Sequence, residues 1–428
     1  MKKQIAAAMV VFVVAIGCSK QEAKQAGDRA KDAVSNAADK VSDAIDVAVP
    51  IGDRDDPKAR ERERFDEQWR QLESIRKAQA VQAQQQQAAQ QQQQQNVNVK
   101  FVANAKESFK GLDANAINNA PIAVPIRGDV AGPSVLKTQV YLDRLNFSVG
   151  ALDGRWGRNS SIALWWFQRT RGINAADAGA LDEPTFRALA NSAGGVPALV
   201  QHALTEEEVT GPFVTIPEDV YDKQKLDCLC YESLKEKLAE QFHTTQEFLD
   251  QLNPEVKFGD LKAGDQVWVP NVRTALTEDR PDIARVQVSI RGNTFNAFDA
   301  NGNLVFHAPT TLGSKYDPSP SETVEVKKIT FKPHFHYQPT LFHEVPDSDP
   351  EANLAPGPNS PVGVVWVALS KPHFGIHGTS DPDSIGYASS HGCVRLANWD
   401  ANDVARRLKP GVQIEFVDTR GATQTASQ

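Results

Sequence analysis

The chain has 428 residues, 40% of them hydrophobic, with 19 Phe and 7 Trp to fill buried cores. This composition excludes a wholly disordered protein and allows about three domains at ~150 residues each. The chain has 46 basic and 54 acidic residues, so its formal net charge is −8, which excludes a global basic field that would recruit nucleic acid. Four cysteines are too few for a disulfide scaffold, and no apolar run reaches the ~18 residues of a membrane-spanning helix, which excludes a polytopic membrane protein.

The N-terminus has the pattern of a secretory signal peptide over residues 1–17. Two lysines precede a short apolar stretch at residues 5–16, and Gly17 is the small residue before a cleavage point. A cysteine in the next position resembles the lipobox of bacterial lipoproteins, which implies that Cys18 is acylated and becomes the mature N-terminus. Since Ser19 follows, the resemblance also implies a periplasmic protein anchored by its lipid in the outer membrane. The alternative is an ordinary signal peptide that happens to contain a cysteine.

Residues 18–131 are predicted to form a disordered, partly helical tether. The segment 30–49 is rich in Ala, Asp and Val, the segment 60–76 is densely charged, and residues 84–95 are almost all glutamine, a composition that buries no apolar surface. A coiled coil is the alternative, but apolar a and d positions are not sustained over several heptads. A disordered tail is predicted for residues 419–428.

Residues 132–195 have the pattern of a small domain of three short helices. The turn residues in LDGRWG at 152–157 separate the first two helices, and Pro184 lies at the start of the third. LDGRWG, followed by Ala163 and Phe167, resembles the three-helix peptidoglycan-binding domain. This resemblance implies contact with the bacterial cell wall.

Residues 218–273 are predicted to form a small α+β module. Thr244, with Glu247 three residues later, has the spacing of a capping box that opens a helix. The stretch LAEQFH at 238–243 resembles part of a LysM module, a family that binds N-acetylglucosamine polymers. The opening strand of that family is expected within residues 223–231, where the match is poor.

The pair Cys228 and Cys230 allows three chemical states. Metal binding is disfavoured because no second Cys or His pair stands at finger spacing, so we predict no metal site. A small ring disulfide in an oxidising compartment and two buried reduced thiols stay open as structural roles.

The region 283–418 has the pattern of a mostly-β domain with one late helix. Short β-type runs begin near residues 285, 294 and 304, and the turn residues 299–303 predict a hairpin between the second and the third. Apolar residues along 400–408 predict a helix that a Pro-Gly pair ends, and residues 412–417 predict a closing strand.

Cys393, the remaining cysteine, lies among residues suited to nucleophilic chemistry. A thiol is a strong nucleophile only as thiolate, so a nearby base or cation must lower its pKa, and the two histidines within sixteen residues upstream, His377 and His391, are candidate bases. Gly392 allows a sharp turn whose N–H groups converge on a developing oxyanion, while Arg395 can hold a substrate carboxylate. These residues indicate acyl transfer through a thioester; the alternative is a buried cysteine beside incidental histidines.

The wider pattern resembles a known signature. His377-Gly378, followed by SHGCVR at residues 390–395, resembles the motif of the L,D-transpeptidase (YkuD-like) family. Asn398 follows at the distance where that family often has Asn. The stretch PGPNSPVG at residues 356–363 looks like the segment that precedes the family's active-site strand.

The resemblance implies a role for each residue of this motif. These roles are the nucleophile (Cys393), the general base (His377), the carbonyl that orients the imidazole (Gly378), the oxyanion pocket (His391 and Gly392) and substrate binding (Arg395 and Ser390). His373 is expected at the rim of the groove. The resemblance also implies that carbapenems acylate the cysteine and that the reaction needs no metal or organic cofactor.

By this resemblance the protein is a peptidoglycan L,D-transpeptidase. The Cys393 thiolate attacks the third residue of a tetrapeptide stem, D-alanine leaves, and an amine resolves the thioester. The sequence leaves the acceptor open among a second stem, which gives a 3–3 crosslink, a lysine of an outer-membrane lipoprotein, a D-amino acid and water. The expected partners are peptidoglycan stems and glycan and, through Cys18, the membrane, but not nucleic acid. An L,D-carboxypeptidase or crosslink hydrolase, and a non-catalytic wall-binding lipoprotein, are the alternatives.

Overall fold

The computed structural model describes residues 99–175, 177–273, 280–314, 316–342 and 344–418. The predicted signal peptide, Cys18, most of the tether and the tail lie outside the described residues. Within these ranges, no helix has the length and apolar character needed to cross a membrane.

The last part of the predicted tether, residues 99–131, is folded, so the prediction of disorder is wrong there. Strand β1 (Phe101–Ala103) pairs in parallel with β2 (Ile122–Val124), and helix α1 (Ala114–Asn119) lies between them in sequence. Ile117 of this helix is buried in the core formed with the following helices. The packing partner lies far along the chain, and local composition therefore does not reveal it.

Three helices lie within the segment 132–195: α2 (Pro133–Arg144), α3 (Arg158–Thr170) and α4 (Glu183–Ser192). The side chain of Asp182 caps the third helix by accepting a hydrogen bond from the Thr185 N–H at 2.9 Å. Phe167 and Phe186 are fully buried in the core between these helices.

Residues 199–270, all of them described, form two strands and four α-helices, together with one short 3-10 helix (Phe258–Asp260). In chain order the strands and α-helices are β3 (Leu199–Ala203), α5 (Glu206–Thr210), α6 (Val220–Lys223), α7 (Leu234–Gln241), α8 (Gln246–Leu252) and β4 (Gln266–Pro270). β3 pairs antiparallel with β4 over its whole length. The opening strand therefore lies before the predicted start at residue 218, and the chain forms no strand within 223–231. The inserted α5 and α6 separate the opening strand from the main helices, which displaces it from its expected place in the motif.

The predicted capping box is also wrong in its register. Thr245, not Thr244, caps α8, because its hydroxyl accepts a hydrogen bond from the Phe248 N–H at 3.0 Å. The hydroxyl of Thr244 donates instead to the Leu152 carbonyl at 2.5 Å, a contact with the three-helix segment. Thr244 was predicted as the cap from local spacing, but its hydroxyl is bound to a residue distant in sequence.

Cys228 and Cys230 form a disulfide, which is one of the two structural states left open above. Leu229 between them is fully buried. Its N–H donates to the Pro356 carbonyl, and its carbonyl accepts from the Asn359 N–H, both at 3.0 Å. The small ring therefore docks on the segment that leads into the C-terminal sheet.

The C-terminal domain has ten strands: β5 (Arg285–Ser289), β6 (Thr294–Phe298), β7 (Leu304–Pro309), β8 (Val324–Phe331), β9 (Phe335–Tyr337), β10 (Ala352–Leu354), β11 (Val365–Leu369), β12 (Gly375–His377), β13 (Val394–Arg395) and β14 (Gln413–Val417). Eight of them form one sheet in the order β13-β12-β11-β8-β14-β5-β6-β7, while β9 and β10 pair separately as an antiparallel hairpin. Helix α9 (Asn398–Arg407) lies between the last two strands in sequence. The prediction of a mostly-β domain with one late helix is confirmed.

A buried ion network joins this domain to the three-helix segment. The Arg273 guanidinium contacts the carboxylates of Asp143 in α2, at 2.5 Å, and of Asp400 and Asp403 in α9. Burial alone would raise the pKa of Asp143, but Arg273 and His243 together lower it to about 2. The buried carboxylate of Asp143 is therefore stabilised in its charged form by contacts that only the packed parts of the chain provide.

Candidate active site

Two short neighbouring strands carry the candidate catalytic residues. β12 and β13 run parallel, with Ile376 opposite Val394 and His377 opposite Arg395. Because side chains alternate along a strand, Cys393, two residues before Arg395, is directed to the same face as His377. Both side chains line the same cavity.

The His377 imidazole is held in one tautomer. Its Nδ1–H donates to the Gly378 carbonyl at 2.7 Å, so Nε2 carries the free lone pair. The ring stacks on Trp366 of β11, with centroids 5.4 Å apart and planes 24° apart. Burial, helped by the charge of Arg395, lowers the pKa of His377 to about 3, so the ring is neutral at physiological pH. The sequence contains no local signal for the stacking partner.

The thiol of Cys393 is half-buried and makes no disulfide. Its Sγ lies 3.6 Å from the His373 carbonyl, and His373 itself is exposed at the rim, as expected. Burial raises the pKa of this thiol, although a hydrogen bond from the Gly375 backbone and the charge of Arg395 oppose that shift. Burial therefore disfavours the charged form of both groups, which favours a neutral thiol and a neutral imidazole over an ion pair before substrate binds.

The turn before the cysteine is braced by two serines. Ser390 is buried, and its hydroxyl donates to the Cys393 carbonyl at 2.7 Å. Ser319 donates in the same way to the Gly392 carbonyl at 2.8 Å, and the φ of +101° at Gly392 suits glycine alone. The predicted role of Ser390 in substrate binding does not fit this geometry, because the hydroxyl is used within the turn and does not line the adjacent cavity.

His391 points to the β9–β10 hairpin. Its Nε2 lies 2.7 Å from the Glu344 carboxylate, and its ring packs edge-on against Phe342 at 4.9 Å. The side chain therefore connects the turn before Cys393 to the hairpin. The hairpin's part in the site is a second feature that sequence reasoning missed.

A cavity of about 600 Å³ lies over these residues. Its aromatic walls come from the hairpin and from β11, and its polar lining includes five histidines: His334, His336, His373, His377 and His391. Arg395 lines the same cavity, and its buried Nε has no hydrogen-bond partner within the described part of the chain. A buried cation with spare donors is suited to a carboxylate ligand.

Within the described ranges, no group of three or more His, Cys, Asp or Glu side chains has the geometry to hold a metal ion. The cavity brings together the Cys393 thiol, the oriented imidazole of His377 and the guanidinium of Arg395. Such a site can support acyl transfer.

Comparison with known proteins identifies a family and several similar proteins. The family model for the YkuD L,D-transpeptidase catalytic domain matches residues 284–416. A Bacillus licheniformis protein named for L,D-transpeptidase YkuD is 30% identical over 183 residues, which cover 42% of this chain and 92% of that protein. A Bacillus subtilis protein with the same name is 44% identical over 62 residues, which cover 14% of this chain and 38% of that protein. A crystal structure of L,D-transpeptidase 3 from Mycobacterium tuberculosis covers 37% of this chain and 75% of its own, with 17% identity and a TM-score of 0.27.

Proposed function

The chain belongs to the YkuD family of L,D-transpeptidases, and from that membership we propose that it transfers peptidoglycan stem peptides through a thioester on Cys393. The observation that carries the proposal is the tautomer of His377. With Nδ1–H bound to the Gly378 carbonyl, Nε2 is the only ring nitrogen able to accept a proton. That nitrogen belongs to a side chain on the strand next to Cys393, in the same cavity.

Acylation starts from a neutral Cys393 thiol and a neutral His377 imidazole. Sγ attacks the carbonyl of the third residue of a tetrapeptide stem while its proton passes to His377 Nε2. The tetrahedral intermediate collapses, the C–N bond to D-alanine breaks, and the same proton is returned to the leaving amine. Because both groups start neutral, charge develops only in the transition state, where the cavity's fixed dipoles stabilise it.

Two features of the cavity support the recognition of such a donor. The guanidinium of Arg395 lines the cavity, where its positive charge is suited to bind the free carboxylate of the stem. Backbone N–H groups of the turn at Gly392 are assigned to the oxyanion, in place of the His391 side chain, which is bound to Glu344.

Resolution of the thioester reverses the proton path. An incoming amine loses its proton to His377 as nitrogen attacks the thioester carbonyl, and Sγ leaves with that proton. A stem amine gives a 3–3 crosslink, a lipoprotein lysine gives envelope attachment, a D-amino acid gives exchange, and water gives carboxypeptidase activity. Hydrolysis of existing crosslinks is the second candidate function, and a non-catalytic wall-binding protein is the third.

The test uses purified protein with muropeptides and with a carbapenem. We expect a covalent adduct on Cys393 by mass spectrometry and new 3–3 dimers from tetrapeptide stems. Loss of existing dimers would favour the hydrolase, and no change with either reagent would leave only wall binding. Cys393→Ala should abolish adduct and product while retaining binding to isolated sacculi.

A matched pair of histidine variants tests the general base. His377→Asn should lose acylation, whereas His373→Asn should keep it, because His373 offers the thiol only its backbone carbonyl. Asn tolerates the φ of +65° found at residue 373, so the control introduces no new strain. Equal loss in both variants would contradict the assignment of His377.

We also propose that the protein is a periplasmic lipoprotein held through Cys18, with the three-helix segment and the LysM-like module as contacts to the wall. The support is the sequence pattern at the N-terminus and within these modules. Palmitate labelling that depends on Cys18 would agree with the anchor, and a Cys18→Ser protein that stays equally membrane-bound would contradict it.

A further inference from the structure

Helix α7 of the LysM-like module carries a carboxyl group into the catalytic domain. Glu240 accepts a hydrogen bond from Asn398 Nδ2 at 3.1 Å and from the Tyr231 hydroxyl at 3.1 Å. Burial raises the pKa of Glu240 to about 7, against these two hydrogen bonds. A carboxyl group keeps an acceptor oxygen in either protonation state, so the contact with Asn398 persists through neutral pH.

Asn398 connects that carboxyl group to the backbone beside the catalytic base. Its Nδ2 is fixed by Glu240 and by the Pro358 carbonyl, at 3.2 Å, and the residue is 1% exposed. Its Oδ1 accepts the Thr379 N–H at 3.1 Å and the Val364 N–H at 3.2 Å. Because the amide is planar, a partner that fixes Nδ2 also fixes Oδ1.

The Thr379 N–H and the Gly378 carbonyl belong to one planar peptide unit. Asn398 holds the N–H of this unit, and His377 Nδ1 donates to its carbonyl at 2.7 Å. A tilt of this single plane therefore moves both hydrogen bonds at once. The contact is tight, since a Cβ added at Gly378 would lie 2.0 Å from Asn398 Oδ1.

We propose that Glu240 is a positioning residue for the catalytic imidazole, which it orients through Asn398 and the 378–379 peptide plane. The LysM-like module then completes the active site in addition to any contact with glycan. The inference rests on the proposed function, because it assigns Glu240 a part in the acylation step that His377 serves.

The same helix offers a matched control. Glu236, one turn earlier, crosses the same interface to Asn359 Nδ2 at 2.7 Å. That amide also donates to the Cys230 carbonyl at 2.9 Å and makes no bond to the 378–379 plane. Glu236→Ala therefore removes a second carboxyl group from the same interface without removing a direct hydrogen bond to Asn398.

The experiment measures single-turnover acylation of Cys393 by a carbapenem in the full chain, at several carbapenem concentrations. For Glu240→Ala we expect the maximal rate to fall between about 10- and 100-fold, the range for a displacement near 1 Å, with the half-saturating concentration unchanged. Glu240→Gln should recover most of the rate, because its amide can accept from Asn398 and donate to the Tyr231 oxygen. Glu236→Ala should stay within about twofold of the parent chain.

Two outcomes would overturn the inference. One is an acylation rate for Glu240→Ala that is no lower than the rate for Glu236→Ala. The thermal midpoint of each variant is measured as well, so that a loss of rate is not mistaken for a loss of stability. The other is a Glu240→Gln variant as slow as Glu240→Ala. If the parent chain is not acylated, the proposed function fails, and the positioning role is then judged by the ¹⁵N shifts of the His377 ring. Glu240→Ala should weaken the Nδ1–H signature of the tautomer, and an unchanged spectrum would refute the role.

Discussion

Gly378 has no space for a side chain, although its backbone conformation would admit one. A Cβ at this position would lie 2.0 Å from Asn398 Oδ1 and 3.3 Å from Gly363 Cα, and the φ of Gly378 is not in the left-handed region. The change Gly378→Ala is therefore a steric perturbation without a conformational penalty.

The size of the effect follows from that distance. Relief to an ordinary contact of more than about 3 Å requires a movement of about 1 Å, since the contact starts at 2.0 Å. Asn398 cannot yield freely, because its Oδ1 holds two backbone N–H groups, so the 378–379 peptide must share the movement. A displacement near 1 Å at a catalytic group costs about 100-fold in rate. Overpacking should lower the free energy of unfolding by about 1–3 kcal/mol.

The assay is the single-turnover acylation of Cys393 by a carbapenem, followed by mass spectrometry. Gly259→Ala is the matched control, because a Cβ there meets no atom within 4 Å and its φ is not positive. We expect the control to keep the rate and thermal midpoint of the parent chain, and Gly378→Ala to lose about two orders of magnitude in rate.

Two results would refute this reasoning. A rate for Gly378→Ala within about threefold of the parent would mean that the peptide plane does not control the imidazole. The second is full additivity of Gly378→Ala with Asn398→Ala in a double-mutant cycle, because removal of Oδ1 should relieve the clash and make the two changes non-additive.

Three further predictions concern charge. Arg273→Met should lower the free energy of unfolding by about 3–5 kcal/mol, measured by denaturant titration, because it removes the buried cation that Asp143, Asp400 and Asp403 share; a loss below about 1 kcal/mol would contradict this. Burial lowers the folded-state pKa values of His307 and His377 to about 3, so only the unfolded chain binds these protons between about pH 6.5 and 3. The free energy of unfolding should therefore decrease as the pH is lowered through that window, by about 1.4 kcal/mol per pH unit for each group. His307→Gln should reduce the dependence of the thermal midpoint on pH, and an unchanged dependence would count against this prediction. Arg395→Gln should move the pH midpoint of Cys393 alkylation by iodoacetamide upward, since the guanidinium opposes the rise in thiol pKa; a constant or lower midpoint would exclude that effect.

The chemistry of the candidate site could be predicted from short-range sequence pattern. Cys393, His377 and Gly378 lie within or beside two short strands. Residue chemistry indicated a cysteine nucleophile with a histidine base, and the resemblance to the L,D-transpeptidase family implied His377 as that base and Gly378 as its orienting carbonyl. The hairpin turn at 299–303 and the helix at 400–408 were likewise predictable, because turn residues and apolar periodicity act over a few residues.

Contacts between residues distant in sequence decided the rest. The cap of α8 is Thr245 and not Thr244, because the Thr244 hydroxyl donates to the Leu152 carbonyl. The strand that pairs with β4 is β3, which lies more than sixty residues earlier in the chain than β4 and outside the predicted module. The protonation states of Cys393 and His377 were also beyond local pattern, since they depend on how completely the folded chain removes both groups from water.

The sequence by itself therefore determined which groups can do chemistry, because residue type and spacing are local properties of the chain. Only the tertiary structure decided how those groups are held and charged. Glu240 illustrates the difference: nothing near it in sequence relates it to His377, and the connection exists only because two modules pack Asn398 between them. Burial and long-range hydrogen bonds are properties of that packing, and neither is encoded in any short stretch of the chain.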